Sequence, residues 1–165
     1  MSQASPGLPR ARIGLDERLR YWAPVLAWML VISMFSGQPF SAANTNNYID
    51  PILRFFFPDI TAAGFVLAHS IIRKLAHFIE FFVLGWLVYW ALRRGRAPQW
   101  YAHWALQATL FALVFALLDE LHQAFVPNRT GSLLDSGIDT AGAVTAQLAR
   151  YGWYRWASAR LNRRG

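Results

Sequence analysis

Apolar residues occupy long blocks along this chain, and charge gathers where the blocks end. The first block runs from about Tyr21 to Phe40, with Pro24 near its start. A second runs from about Leu75 to Leu92 and stops at Arg93-Arg94-Gly95-Arg96. A third covers about Tyr101 to Phe125, with His103 and Gln107 its early polar positions. The fourth, Ser136 to about Trp156, is the weakest, because Asp139, Gln147 and Arg150 interrupt it. Its Gly137, Ala141, Gly142, Ala143 and Ala146 are small, as expected where helices pack closely in lipid. About 20 apolar residues suffice for a helix to cross a bilayer. The pattern predicts an all-α, polytopic membrane bundle of about four transmembrane helices, with Pro24 in the first turn of the first, where a missing N–H is tolerated.

Between the first two blocks, Asn44-Thr45-Asn46-Asn47-Tyr48 predicts a polar turn, and Ile49 to Phe57 suits a segment lying at the membrane surface. Pro58-Asp59 can open a new element. Ile60 to Ile72 is apolar but only thirteen residues long, too short to span alone. It is expected to form an extracytoplasmic interfacial cap, or else a re-entrant segment.

Composition narrows the class. Of 165 residues, 55% are hydrophobic, 16% aromatic and 15% charged, against about 25% charged in a soluble domain. A single integral membrane domain over 1–165 follows. The absence of cysteine excludes disulfides and thiolate metal sites. The net charge of +7 does not point to nucleic acid, because the arginines cluster at block ends. Under four spans, the leader 1–20 (Arg10, Arg12, Arg18, Arg20), the 93–96 loop and the arginines from Arg150 onward share one side. The positive-inside rule makes that side, and both termini, cytoplasmic. The first block also has features of a signal peptide, but its length and aromatic content favour a retained anchor.

The candidate chemistry then falls in the extracytoplasmic half. Arg73, His77, Glu80 and Leu84 share one helix face by their i, i+4, i+7 spacing. Asp119 and Gln123 are i, i+4, and Glu120 and Gln123 are i, i+3, so the two acids point to different groups. Asp135, Asp139 and Gly142 line one face of the last helix. Ionisable groups inside an apolar span usually mark a working site. His77, Glu80, Asp119 and Glu120 are the candidate acid–base residues. Arg73, Lys74, Gln123, Arg129, Asp135 and Asp139 are the candidates for binding an anionic headgroup, Arg129 through its planar fork. His77 suits proton transfer near neutrality, or it can simply hydrogen-bond between helices. A metal site is not expected. His77-x-x-Glu80 has the residue types of bundle di-metal motifs in reversed order, and Asp119, Glu120 and Asp135 could complete one, but no second His/Glu pair occurs. The sequence does not identify a cofactor.

Lys74-x-x-His77-x-x-Glu80-Phe81, Asp119-Glu120-x-x-Gln123-x-Phe125-x-Pro127-x-Arg129 and Ser132-x-x-Asp135-x-x-x-Asp139-x-x-Gly142 together resemble the VanZ-like family over about residues 70–148. The resemblance implies a small polytopic bacterial membrane protein, and the family's namesake is associated with low-level glycopeptide resistance. Phe81 stands where Tyr is frequent, and Asp139 where Asn is frequent. Three functions fit the residues. One is an enzyme acting by acid–base chemistry on the headgroup of a membrane lipid or lipid-linked envelope precursor. The second is a noncatalytic binder of such a precursor or of a lipoglycopeptide. The third is an assembly partner whose buried ion pairs specify packing.

Overall fold

Helices follow the apolar blocks, but local chemistry moves their boundaries. The computed structural model describes residues 15–37, 42–94, 99–126 and 131–163, and among them it has five helices and no strand. These are α1 (Leu15–Phe35), α2 (Ala42–Phe56), α3 (Ala62–Arg93), α4 (Ala102–Ala124) and α5 (Leu133–Asn162).

α3 differs most from expectation. Thr61 caps it in extended backbone, its hydroxyl accepting from the Gly64 N–H, and Arg94 ends it in the left-handed region with φ 48°. Between those points lies no proline, and Arg73 and Lys74 are good helix formers. The 32-residue helix therefore joins Ala62–Ile72 to the second block without interruption. Asn44 to Tyr48, expected as a turn, belongs to α2, whose Leu53 is buried while Phe55 and Phe56 are exposed. α1 begins at Leu15, so Pro24 lies inside the helix instead of in its first turn.

α3 and α4 are long and apolar enough to cross a membrane. α1 contributes a shorter apolar stretch, Leu19–Phe35, and α5 does not pass the same test. Two of the four expected spans are thus supported by their own length and composition.

The distribution of side chains speaks for lipid contact around these helices. The interior of α4 is a stripe of Ala105, Ala108, Ala112 and Ala116, whereas Leu106, Leu110, Val114, Leu118 and Leu121 face outward. Large aliphatics outside and alanine inside is the arrangement expected where lipid, not water, is the solvent.

Contacts fix the helix directions. On α3, Tyr21 meets Trp90 at 4.9 Å between ring centroids and the Trp28 indole donates to the Glu80 carbonyl at 2.9 Å, so α1 runs antiparallel to α3. Phe81 faces Phe115 and Tyr89 faces Trp104, so α4 is antiparallel too. α5 runs parallel to α3 and packs along it more extensively than any other pair: Lys74 meets Asp135, Gln147 donates to the Gly85 carbonyl, and Arg150 donates to that of Trp86. Gly142 permits this closeness, since a Cβ there would fall on the Phe78 carbonyl oxygen.

Candidate functional site

One end of the bundle collects the arginines. Arg93, Arg94, Arg150 and Arg155 lie there, with the Arg150 guanidinium 3.9 Å from the Trp86 ring centre. The other end collects the acids, because the C-terminal parts of α1 and α4 meet the N-terminal parts of α3 and α5 there.

The acidic run of α4 divides its work. Asp119, 4% exposed, accepts from the Ser36 hydroxyl and from the Gln123 amide, both at 2.7 Å. This ties the end of α1 to α4, and a buried carboxylate so paired is structurally costly to remove. Asp119→Ala should destabilise the protein by about 2–3 kcal/mol, through two polar groups left without an acceptor. Ser36→Ala added to that variant should cost little more. Thermal unfolding of the detergent-purified single and double variants checks both statements.

Glu120, 5% exposed, turns the other way. Its Oε2 accepts from the Ser132 backbone N–H at 2.5 Å, covering the start of α5, while Oε1 is buried without a partner. On α5, Asp139 is 0% exposed and neither carboxylate oxygen makes a hydrogen bond. Its Oδ1 lies 3.3 Å from Nδ1 of His77 on α3, outside hydrogen-bond geometry. One ligand-capable atom from each of His77, Glu120 and Asp139 lies within 4.8 Å of the others.

Beside this triad is a cavity of about 240 Å³ that shares His77 and is lined by His69, Arg73, Lys74, Asp135 and Ile138. Lys74 pairs with Asp135 at 3.1 Å, both partly exposed. The sequence-derived residues therefore separate into three groups. His77, Glu120 and Asp139 converge; Arg73, Lys74 and Asp135 line the cavity; Asp119 and Gln123 form a helix-tying network. The Glu80 backbone carbonyl accepts from Trp28. Arg129 lies outside the described residues.

Two participants escaped the sequence reading. Ser36 sits at the end of an apolar block as a lone hydroxyl, and nothing in its spacing points to Asp119. His69, near the start of α3, is buried and stacks on Phe65. Its i, i+4 relation to Arg73 becomes visible only once α3 is known to be continuous.

No curated protein and no solved structure matches the chain. A family model does, and its match runs through all the residues that converge here. With residues 21–152 matched, the chain belongs to the VanZ/LLP1 family.

Proposed function

We propose that the chain is a multi-pass protein of the bacterial inner membrane that binds the anionic headgroup of a lipid or lipid-linked envelope precursor and acts on it by acid–base chemistry. One observation carries this reading. Two buried carboxylates and a partly buried imidazole, Glu120, Asp139 and His77, converge with atoms that make no hydrogen bond beside a cavity walled by Arg73 and Lys74. Buried polar groups without partners are rare in proteins unless something else satisfies them.

In this reading Arg73 and Lys74, with Arg129, hold the anion. Glu120, whose Oε1 makes no hydrogen bond, takes a proton from a water that attacks the headgroup phosphorus. The P–O bond to the leaving group breaks, protonated His77 gives the departing oxygen its proton, and the proton on Glu120 then restores His77. The arginine-rich end faces the cytoplasm by the positive-inside rule, with both termini, and the acidic end faces outward. α3, at 32 residues, is about 48 Å long and exceeds an apolar core of about 30 Å. Its N-terminal third can therefore reach the headgroup layer, where the cavity would open.

Incubating the purified chain with extracted bacterial lipids and with a polyprenyl phosphate tests the reading. Conversion of a headgroup is the expected result. Saturable retention without product would replace it with the noncatalytic binder, and neither would end both.

A further inference from the structure

The geometry points to a divalent transition-metal site formed by His77, Glu120 and Asp139, which we propose binds one cation per chain. Three helices contribute one residue each: α3, α4 and α5. The carboxylates carry three buried oxygens without hydrogen bonds, and the buried Nδ1 of His77 makes none either, lying 3.3 Å from Oδ1 of Asp139. Among the described residues, no lysine or arginine pairs with Glu120 or Asp139, since Lys74 is engaged by Asp135.

Two ionised carboxylates in such a place repel each other and lack solvent. A dication cancels both charges and supplies a partner for every orphaned atom. Neutral imidazole with carboxylate oxygens suits Zn²⁺ or Mn²⁺ better than the all-oxygen preferences of Ca²⁺ and Mg²⁺. The dimensions are close to those required. Ligand atoms about 2.1 Å from one ion lie at most about 4.2 Å apart. The His77–Asp139 separation of 3.3 Å already matches the roughly 3.4 Å between ligands of a tetrahedral ion, and the widest pair of the triad, within 4.8 Å, must close by about 1 Å when the ion binds.

The support around the triad is that of a metal site. Ser132 N–H holds one oxygen of Glu120 and thereby leaves the other for the ion, as outer-shell groups orient metal ligands. Ser136 lies one turn before Asp139 and keeps a buried, unpartnered hydroxyl. The close packing of Gly142 against Phe78 holds α5 and α3 in the register that brings Asp139 to His77.

The full chain, purified in detergent and stripped with a chelator, is titrated with ZnCl₂ and with MnCl₂ by calorimetry, and metal content is measured before stripping. One equivalent of at least one cation should bind, and at hundredfold excess over Kd it should raise the unfolding midpoint by roughly 5–10 °C. Asp139→Asn and His77→Gln should each weaken binding at least a hundredfold, whereas Asp50→Asn, at an exposed Arg54 pair, should not. Absence of saturable binding of both cations to the unaltered chain overturns the proposal. So does binding that survives both site substitutions. Glu120 and Nδ1 of His77 cannot be metal ligands and proton-transfer groups at once, so metal bound here should suppress lipid turnover. Turnover undiminished by bound metal would count against the acid–base roles alone, and turnover by a chain that takes up no metal would count against this site alone.

Discussion

Gly142→Leu should leave almost no folded protein in the membrane, and Gly142→Ala should already cost about 3 kcal/mol, at the upper end of typical overpacking penalties. The obstacle is backbone. A Cβ at 142 falls on the Phe78 carbonyl oxygen, and lies 3.1 Å from the Phe82 nitrogen. Neither atom can swing aside as a side chain can, so α5 must move away from α3. That displacement also separates Asp139, one turn before Gly142, from His77, the neighbour of Phe78. For a chain of this size, about 3 kcal/mol corresponds to a midpoint lowered by roughly 6–12 °C. Gly137 supplies the opposite sign, because nothing lies within 4 Å of a Cβ there. Gly137→Ala should be neutral or should stabilise by up to about 1 kcal/mol through helix propensity. Membrane abundance and thermal unfolding of the two alanine variants would distinguish packing at 142 from a general sensitivity of α5 to added methyl groups. Equal stability of the two would remove the close crossing from the account.

The second large effect is expected at Glu120. Glu120→Gln keeps the size of the side chain and retains an oxygen to accept from the Ser132 N–H, so the start of α5 stays covered. It removes the charge and the basic oxygen. If Glu120 is the general base, headgroup turnover should fall 10²–10⁴-fold, the usual contribution of such a group. Membrane abundance should stay near that of the unaltered chain. Asp119→Asn is the useful companion, since Asp119 is occupied by Ser36 and Gln123 and should act mainly on stability. Loss of turnover in both variants in proportion to lost abundance would assign the acids to packing, the assembly role that the sequence also permits.

These effects come from neighbouring residues of the same run, and their separation illustrates where local information ends. The spacing of Asp119 and Glu120 requires them to point apart. It does not say which of them meets Ser36 and which meets His77. On α3, the face Arg73–His77–Glu80–Leu84 is a correct consequence of helical periodicity, yet the fully buried line is Phe81, Leu84 and Val88. Phe81, where the family often has Tyr, packs against Phe115 in that line. Glu80 lies to one side of it, and the carboxylate of Asp139 lies 3.3 Å from Nδ1 of His77. Departure from the frequent Asn at 139 thus puts an additional acid at the centre of the cluster.

The amino-acid sequence alone determined the helical class, the apolar blocks, the polar runs at their ends and the family, because all of these depend on residue type and spacing along one chain. The extent of α3 was locally encoded as well, in a continuous stretch of helix-compatible residues behind the Thr61 cap, although its charged centre suggested a break. Only the tertiary structure decided that His77, Glu120 and Asp139 meet, that Lys74 is taken by Asp135, and that Ser36 anchors Asp119. Periodicity sets the angles among side chains on one helix and leaves the rotation and register of neighbouring helices open. Those are chosen by packing, here most visibly by the absence of a side chain at Gly142.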